Sequence, residues 1–263
     1  MRVGVSSLHL IGKPFNSLLE AIRSYGIDLW EIVDDDTLTL TDKTVGNLLD
    51  LRRSLGVEYT VHAPFADINI AAANEGFRIM ATDRLKRSLR YARMIEARCW
   101  VFHPGMHSGL SFVYPQRDME KCLLSVKELS GFAEKLGIPI LIENMPNSII
   151  FLLQQTGDFD QFYLLAGDVE PDMVMDIGHA NTTKGIEKLF ERQGNRIMHL
   201  HVHDNNGEAD THNKIGEGTV PWKVVTSQLT NLGFDKDVIV ESVRDVPESI
   251  RAAQQLFLRG FNF

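Results

Sequence analysis

Cysteine is nearly absent: Cys99 and Cys122 are the only two in 263 residues. Their separation matches neither a zinc knuckle nor a CxxC redox pair, so they read as free buried thiols in a reducing compartment, without a disulfide framework. No window reaches eighteen apolar residues, and the opening MRVGVSSLHLIGK lacks the apolar core of a signal peptide, so the expectation is a cytoplasmic protein with no membrane partner. Basic residues are in deficit, 27 Lys and Arg against 35 Asp and Glu, for a formal charge of −8. That balance argues against a broadly basic nucleic-acid surface, although a local cationic cleft is compatible with it. No Pro/Ser-rich linker or low-complexity run divides the chain, and no GxGxxG follows the first apolar run.

What is present is repetition. A short apolar run followed by an amphipathic segment recurs eight times, the runs being about Val3 to Ser6, Asp28 to Val33, Glu58 to His62, Cys99 to His103, Ile138 to Glu143, Asp172 to Asp176, Arg196 to His203 and Val238 to Glu241. Between them, Leu85, Leu89 and Ala92 fall on one helical face. Leu129, Phe132, Ala133 and Leu136 fall on another, with Gly137 as a stop. Ordered βα repetition implies parallel strands with crossover helices. Eight rounds in this length predict an α/β fold, a closed (β/α)8 TIM barrel in a single domain over residues 1–263. A doubly wound open sheet is the alternative, weakened by the missing glycine fingerprint.

Chemistry concentrates between Met198 and Gly218, which hold four of the nine histidines. Strand alternation puts His199, His201 and His203 on one face and Met198, Leu200 and Val202 on the other. The other runs end in the same kind of residue: His62, His103, Glu143, Asp176 and Glu241. In a parallel barrel these ends meet at one rim, the face where such barrels place their sites. Mixed carboxylate and imidazole donors suit a divalent cation, zinc first, with manganese or cobalt as alternatives. His179, Asp210 and His212 can reach the same rim. Capping and turn stabilisation are the plainer readings of Asp176 to His179 and of Asp210. Trp30 and Phe65 are candidates for a sugar-stacking wall, as is Trp222. Gly216-Glu217-Gly218 reads as a turn before it reads as a phosphate cradle. Ser7 and His9 follow the first strand and are further candidates for substrate contact.

The motifs VHAPFADIN from Val61, FHPG from Phe102, IEN from Ile142, DIGH from Asp176, HVHD from His201, DTH from Asp210, GEG from Gly216 and VES from Val240 occur in that order. Together they resemble the xylose-isomerase-like TIM-barrel superfamily, which holds sugar and sugar-phosphate isomerases and epimerases and also the endonuclease IV (AP endonuclease family 2) branch. The resemblance implies one of two sites. An isomerase or epimerase would hold one metal on Glu143, Asp176, His201 and Glu241, with Glu143 and Glu241 as the proton-moving catalytic pair and His179 binding substrate oxygens.

An endonuclease IV-like phosphoesterase would hold three zinc ions: His62, His103 and Glu143 on the first, the same four residues on the second, and His179, Asp210 and His212 on the third. All these residue types are present, so one to three ions per chain are expected. The nuclease pattern departs after the seventh run, where HVHDNN lacks the family's lysine. Asp34, Asp35 and Asp36 after the second run would repel a phosphodiester backbone, unless they form a solvated loop or helix start.

The leading expectation is therefore a divalent-metal isomerase or epimerase of a small sugar, polyol or sugar phosphate. The phosphoesterase is the alternative, nucleic acid being a partner only under it, and a non-catalytic metal-binding protein ranks third. Oligomeric state leaves no mark on the sequence.

Overall fold

In a computed structural model the structure describes residues 1–258. Eight strands, β1 (Arg2–Ser6), β2 (Leu29–Val33), β3 (Glu58–His62), β4 (Trp100–Phe102), β5 (Ile140–Glu143), β6 (Asp172–Asp176), β7 (Ile197–Val202) and β8 (Asp237–Val240), pair in parallel in sequence order. β8 returns to β1 and closes the barrel, which excludes the open sheet. The helices are α1 (Phe15–Ser24), α2 (Asp42–Leu55), α3 (Glu75–Met94), α4 (Arg117–Leu136), α5 (Thr156–Ala166), α6 (Ile177–Thr182), α7 (Ile186–Gln193), α8 (Trp222–Asn231) and α9 (Val246–Leu258). The expected domain end at 263 lies outside the described residues.

Local chemistry sets the boundaries. α2 begins in a capping box in which Thr41 and Thr44 satisfy each other's backbone amides, and α4 stops at Gly137 with φ 66°, a left-handed conformation that costs a residue without Cβ little. Along each strand, alternation divides two environments. Trp30, Ile32, Tyr59, Val61, Trp100, Phe102, Met175, Leu200 and Val202 point outward into one continuous core shared with the helices.

The inward set is different. Its apolar part includes a cluster of Cys99, Val101, Leu141 and Val174 together with Leu29, Val33 and Ile239, and the remaining inward positions include Glu31, Thr60, His199 and His201, all buried. At the amino-terminal end of the strands Arg2 and Arg98 each bridge Glu58 and Asp237, at 2.9–3.2 Å. The barrel is thus tied by ion pairs at one pole and lined with ligand-type side chains toward the other.

Candidate functional site

The rim is assembled by short loops whose geometry follows from named residues. In IEN, Asn144 donates to Asp176 O at 3.0 Å and accepts from Asp176 N at 2.8 Å, stitching β5 to β6. Its carbonyl also takes His179 Nδ1 at 2.8 Å. In DIGH, Asp176 caps α6 by accepting from His179 N at 2.7 Å, so the capping reading holds, while its second oxygen, Oδ2, is buried without a hydrogen-bond partner. Gly178 is obligatory in that turn, since a Cβ there would lie 2.0 Å from the His203 ring. Asn69 brackets the FHPG loop through Met106 N and O, and Gly105 beside it has φ 99°.

Four donor sets result. His62, His103 and Glu143 form the first: both Nε2 atoms approach Glu143 Oε2, at 3.3 and 3.2 Å. Glu143, Asp176, His201 and Glu241 form the second; His201 Nδ1 is 3.1 Å from Glu143 Oε1 and 3.5 Å from Glu241 Oε2. The third contains His179, Asp210 and His212 as expected, and also His203. Asp210 Oδ2 lies 3.1 Å from both His179 Nε2 and His212 Nε2, and Oδ1 lies 3.4 Å from His203 Nε2. Glu31, His199 and His201 form a fourth, deeper set.

These sets fit a cation. His62, His179 and His212 each give Nδ1–H to a backbone carbonyl, of Ala63, Asn144 and Glu241 respectively, which in the neutral ring aims the Nε2 lone pair at the carboxylates. Lone pair facing lone pair is repulsive unless a proton or a metal lies between. Asp176 Oδ2, His203 Nε2 and Asp210 Oδ1 are moreover buried without a hydrogen-bond partner, a costly state that metal coordination relieves.

In the metal-free protein a proton takes that place at His62 and His212. Burial pushes the His62 pKa down, but the Glu143 hydrogen bond and charge override it and raise it to about 9. His212 is likewise raised to about 9 against burial, by Asp210. Glu143 resists the upward push of burial because His201, His103 and His62 hold it ionised, well below the usual carboxylate range. Glu241 goes the other way: burial raises it, and the charges of Glu31 and Glu143 add to that against His201.

Above the sets lies a cavity of about 480 Å³ lined by His62, His103, Glu143, His179, Asp210, His212 and Glu241 below, with Leu8, Ile11, Phe65, Met145, Phe151 and Val243 among its apolar walls. Phe65 is therefore at the cavity, edge-on to His62. Trp30 is not. It is fully buried on the outer face of β2, donating Nε1–H to Ile27 O, because its neighbour Glu31 takes the inward position. Trp222 lies elsewhere, its Nε1–H on Asp204 Oδ2.

Ser7 and His9 are also absent from the wall; Ser7 accepts from Val33 N, and His9 meets Ser6 O and Tyr25. GEG is a turn around buried Asp204, which accepts from Gly216 N, and it does not line the cavity. The aspartate run is structural as well: Asp34 is buried and chelated by Arg84, and Asp35 accepts from Phe65 N and Ala66 N. Only Asp36 stays exposed, at the start of a short helical turn, so the run forms a helix start and not a wall of three carboxylates.

A xylose isomerase-like TIM barrel model matches residues 19–260. The chain belongs to that family. Among its relatives, an uncharacterized protein of Methanocaldococcus jannaschii is 34% identical, over 95% of this chain and 87% of that one. A solved D-tagatose 3-epimerase-like protein superposes with a TM-score of 0.90 at 32% identity, covering 97% of each chain. The D-psicose 3-epimerase of Ruminiclostridium cellulolyticum is 22% identical over 85% of this chain and 76% of its own. The family's other branch appears at similar distance, in a probable endonuclease 4 of Aquifex aeolicus, 24% identical over 76% and 72% of the two chains.

Sequence reasoning left four residues of the candidate site without a role, His199, His203, Asn144 and Glu31. His203 had its signal in the alternation of β7, and Asn144 had none beyond its motif. Glu31 was visible as a lone carboxylate inside the otherwise apolar run LWEIV.

Proposed function

We propose that this protein is a divalent-metal-dependent isomerase or epimerase of a small sugar or polyol that carries no phosphate. The observation that carries the reading is the second donor set: Glu143 and Glu241, from β5 and the end of β8, converge on His201 at the floor of the cavity. Zinc, manganese or cobalt suits Glu143, Asp176, His201 and Glu241 alike. When bound there, the cation supplies Lewis-acid polarisation of a carbonyl and its neighbouring hydroxyl, lowering the cost of the enediolate left by loss of a carbon-bound proton.

The two glutamates divide the proton work. Glu143 and Glu241, on opposite sides of the site, take and return the carbon-bound proton. His179, fixed by Asn144, orients substrate oxygens, and Phe65 contributes an apolar face for the sugar. No lysine or arginine is among the residues lining the cavity, which leaves a phosphate group without a cationic side-chain anchor. The epimerase names among the relatives support the same reading.

One observation favours a second reading, a trinuclear phosphoesterase: the flanking sets His62/His103/Glu143 and His179/Asp210/His212 are also assembled. Metal analysis of protein purified without chelator, with ketose and phosphodiester panels run side by side, separates the two. One ion per chain with interconversion of ketose epimers is expected. Two or three ions with phosphodiester cleavage and no epimer formed would overturn it, and so would bound metal without turnover on either panel.

A further inference from the structure

We infer that Glu31 is a positioning residue that sets which nitrogen of His201 faces the metal, an inference resting on the reading that the Glu143, Asp176, His201 and Glu241 set binds one. Glu31 is on β2, the far side of the barrel from β5 and β6, and is fully buried beneath the rim. Its Oε1 lies 3.0 Å from His201 Nε2. Its Oε2 lies 3.4 Å from His199 Nε2 and accepts a hydrogen bond from Thr60 Oγ1 at 3.0 Å. Glu31 Oε1, His199 Nε2 and His201 Nε2 have no hydrogen-bond partner, so the approaches of 3.0 and 3.4 Å are close charge contacts without hydrogen-bond geometry.

The His201 ring thus has a carboxylate at each end: Glu31 at Nε2, and Glu143 with Glu241 at Nδ1. A neutral imidazole carries one N–H and one lone pair, and a metal takes the lone pair. With the Glu31 carboxylate 3.0 Å from Nε2, its charge favours the hydrogen on that nitrogen, and the Nδ1 lone pair faces the donor set. Without it no charge would favour the hydrogen on Nε2, and the ring would gain by moving it to Nδ1, where Glu143 Oε1 accepts at 3.1 Å, closing that nitrogen to metal. Thr60 and His199 hold Glu31 in place, one by a hydroxyl and one by a ring. This is a carboxylate behind a histidine ligand, an arrangement whose loss typically weakens metal binding by about 10–100-fold.

The test compares zinc affinity of the full chain, by competition with a chromogenic chelator, among wild type, Glu31→Gln and Glu31→Leu, with far-UV circular dichroism of each metal-free protein. Leucine should weaken zinc binding about 10–100-fold with the metal-free fold intact. Glutamine, which keeps an acceptor oxygen at the same reach, should fall between leucine and wild type. Should the leucine variant fail to fold, Glu31→Met, closer in length, takes its place. Unchanged affinity in the apolar variants, or equal losses for glutamine and leucine, would overturn the inference. So would the loss of one whole ion per chain with the others unaffected, which would make Glu31, His199 and His201 a metal site in their own right. Wild type that binds no zinc would sink the functional reading instead.

Discussion

At the scale of single residues, identical side chains acquire different chemistry from their neighbours. Glu143 and Glu241 are both buried, yet three histidines hold the first ionised while burial and two carboxylates raise the second. Glu241→Gln keeps the shape and removes the titratable proton, so turnover should drop by about 10²–10⁴-fold with the fold retained, measured as kcat beside circular dichroism. A variant as active as wild type would remove Glu241 from the mechanism. His203 shows the same dependence on surroundings: its ring stacks 3.8 Å from that of His212 and shares Asp210 with it, whereas on sequence alone it had no partner.

At the scale of elements, three of the rim loops hold a glycine, Gly105, Gly178 or Gly218, where an added Cβ has no room. The β6–α6 turn is the clearest case, because the space a Cβ would need at Gly178 is filled by the His203 ring. Gly178→Ala must push that ring off Asp176 and Asp210, at a cost of about 1–3 kcal/mol. The expected result is a lower thermal midpoint together with weaker binding at the third donor set, read by titrating metal into chelator-treated protein. A midpoint and titration matching wild type would show that the ring moves freely. His212 is constrained in another way: its φ of 46° is the left-handed region, held by Nδ1–H on Glu241 O and by Val243 N on His212 O.

At the scale of the whole molecule, the barrel gathers acidic and imidazole groups from all round the sheet into one buried volume, and its stability should follow their protonation. In metal-free protein the His62 and His212 pKa values, near 9, lie above the ordinary 6.5. The stability from these raised groups is fully present below pH 6.5 and is lost as pH climbs through 9, by an upper bound of about 3 kcal/mol per histidine. The thermal midpoint of chelator-treated protein should therefore fall by several degrees between about pH 6.5 and 9. Zinc added beforehand should flatten the slope, since a metal replaces the protons between ring and carboxylate; a flat curve without zinc would contradict the pairing.

Much of this molecule was legible before any coordinates. Eight apolar runs in sequence order specify parallel strands and crossovers, because period-2 and period-3.6 patterns report which face is buried. Strand ends carrying histidine or carboxylate then mark the rim, since all parallel strands point their ends the same way. Grouping was decided only by the tertiary structure. Whether His203 joins His179 or faces solvent, whether Trp30 lines the cavity or the outer core, and whether Asp34 meets a ligand or Arg84 depend on contacts between residues 24 to 50 positions apart or more. Glu31 is the sharpest instance: the sequence shows a carboxylate in a buried strand, but only closure of the barrel brings it against a histidine from the opposite half of the chain.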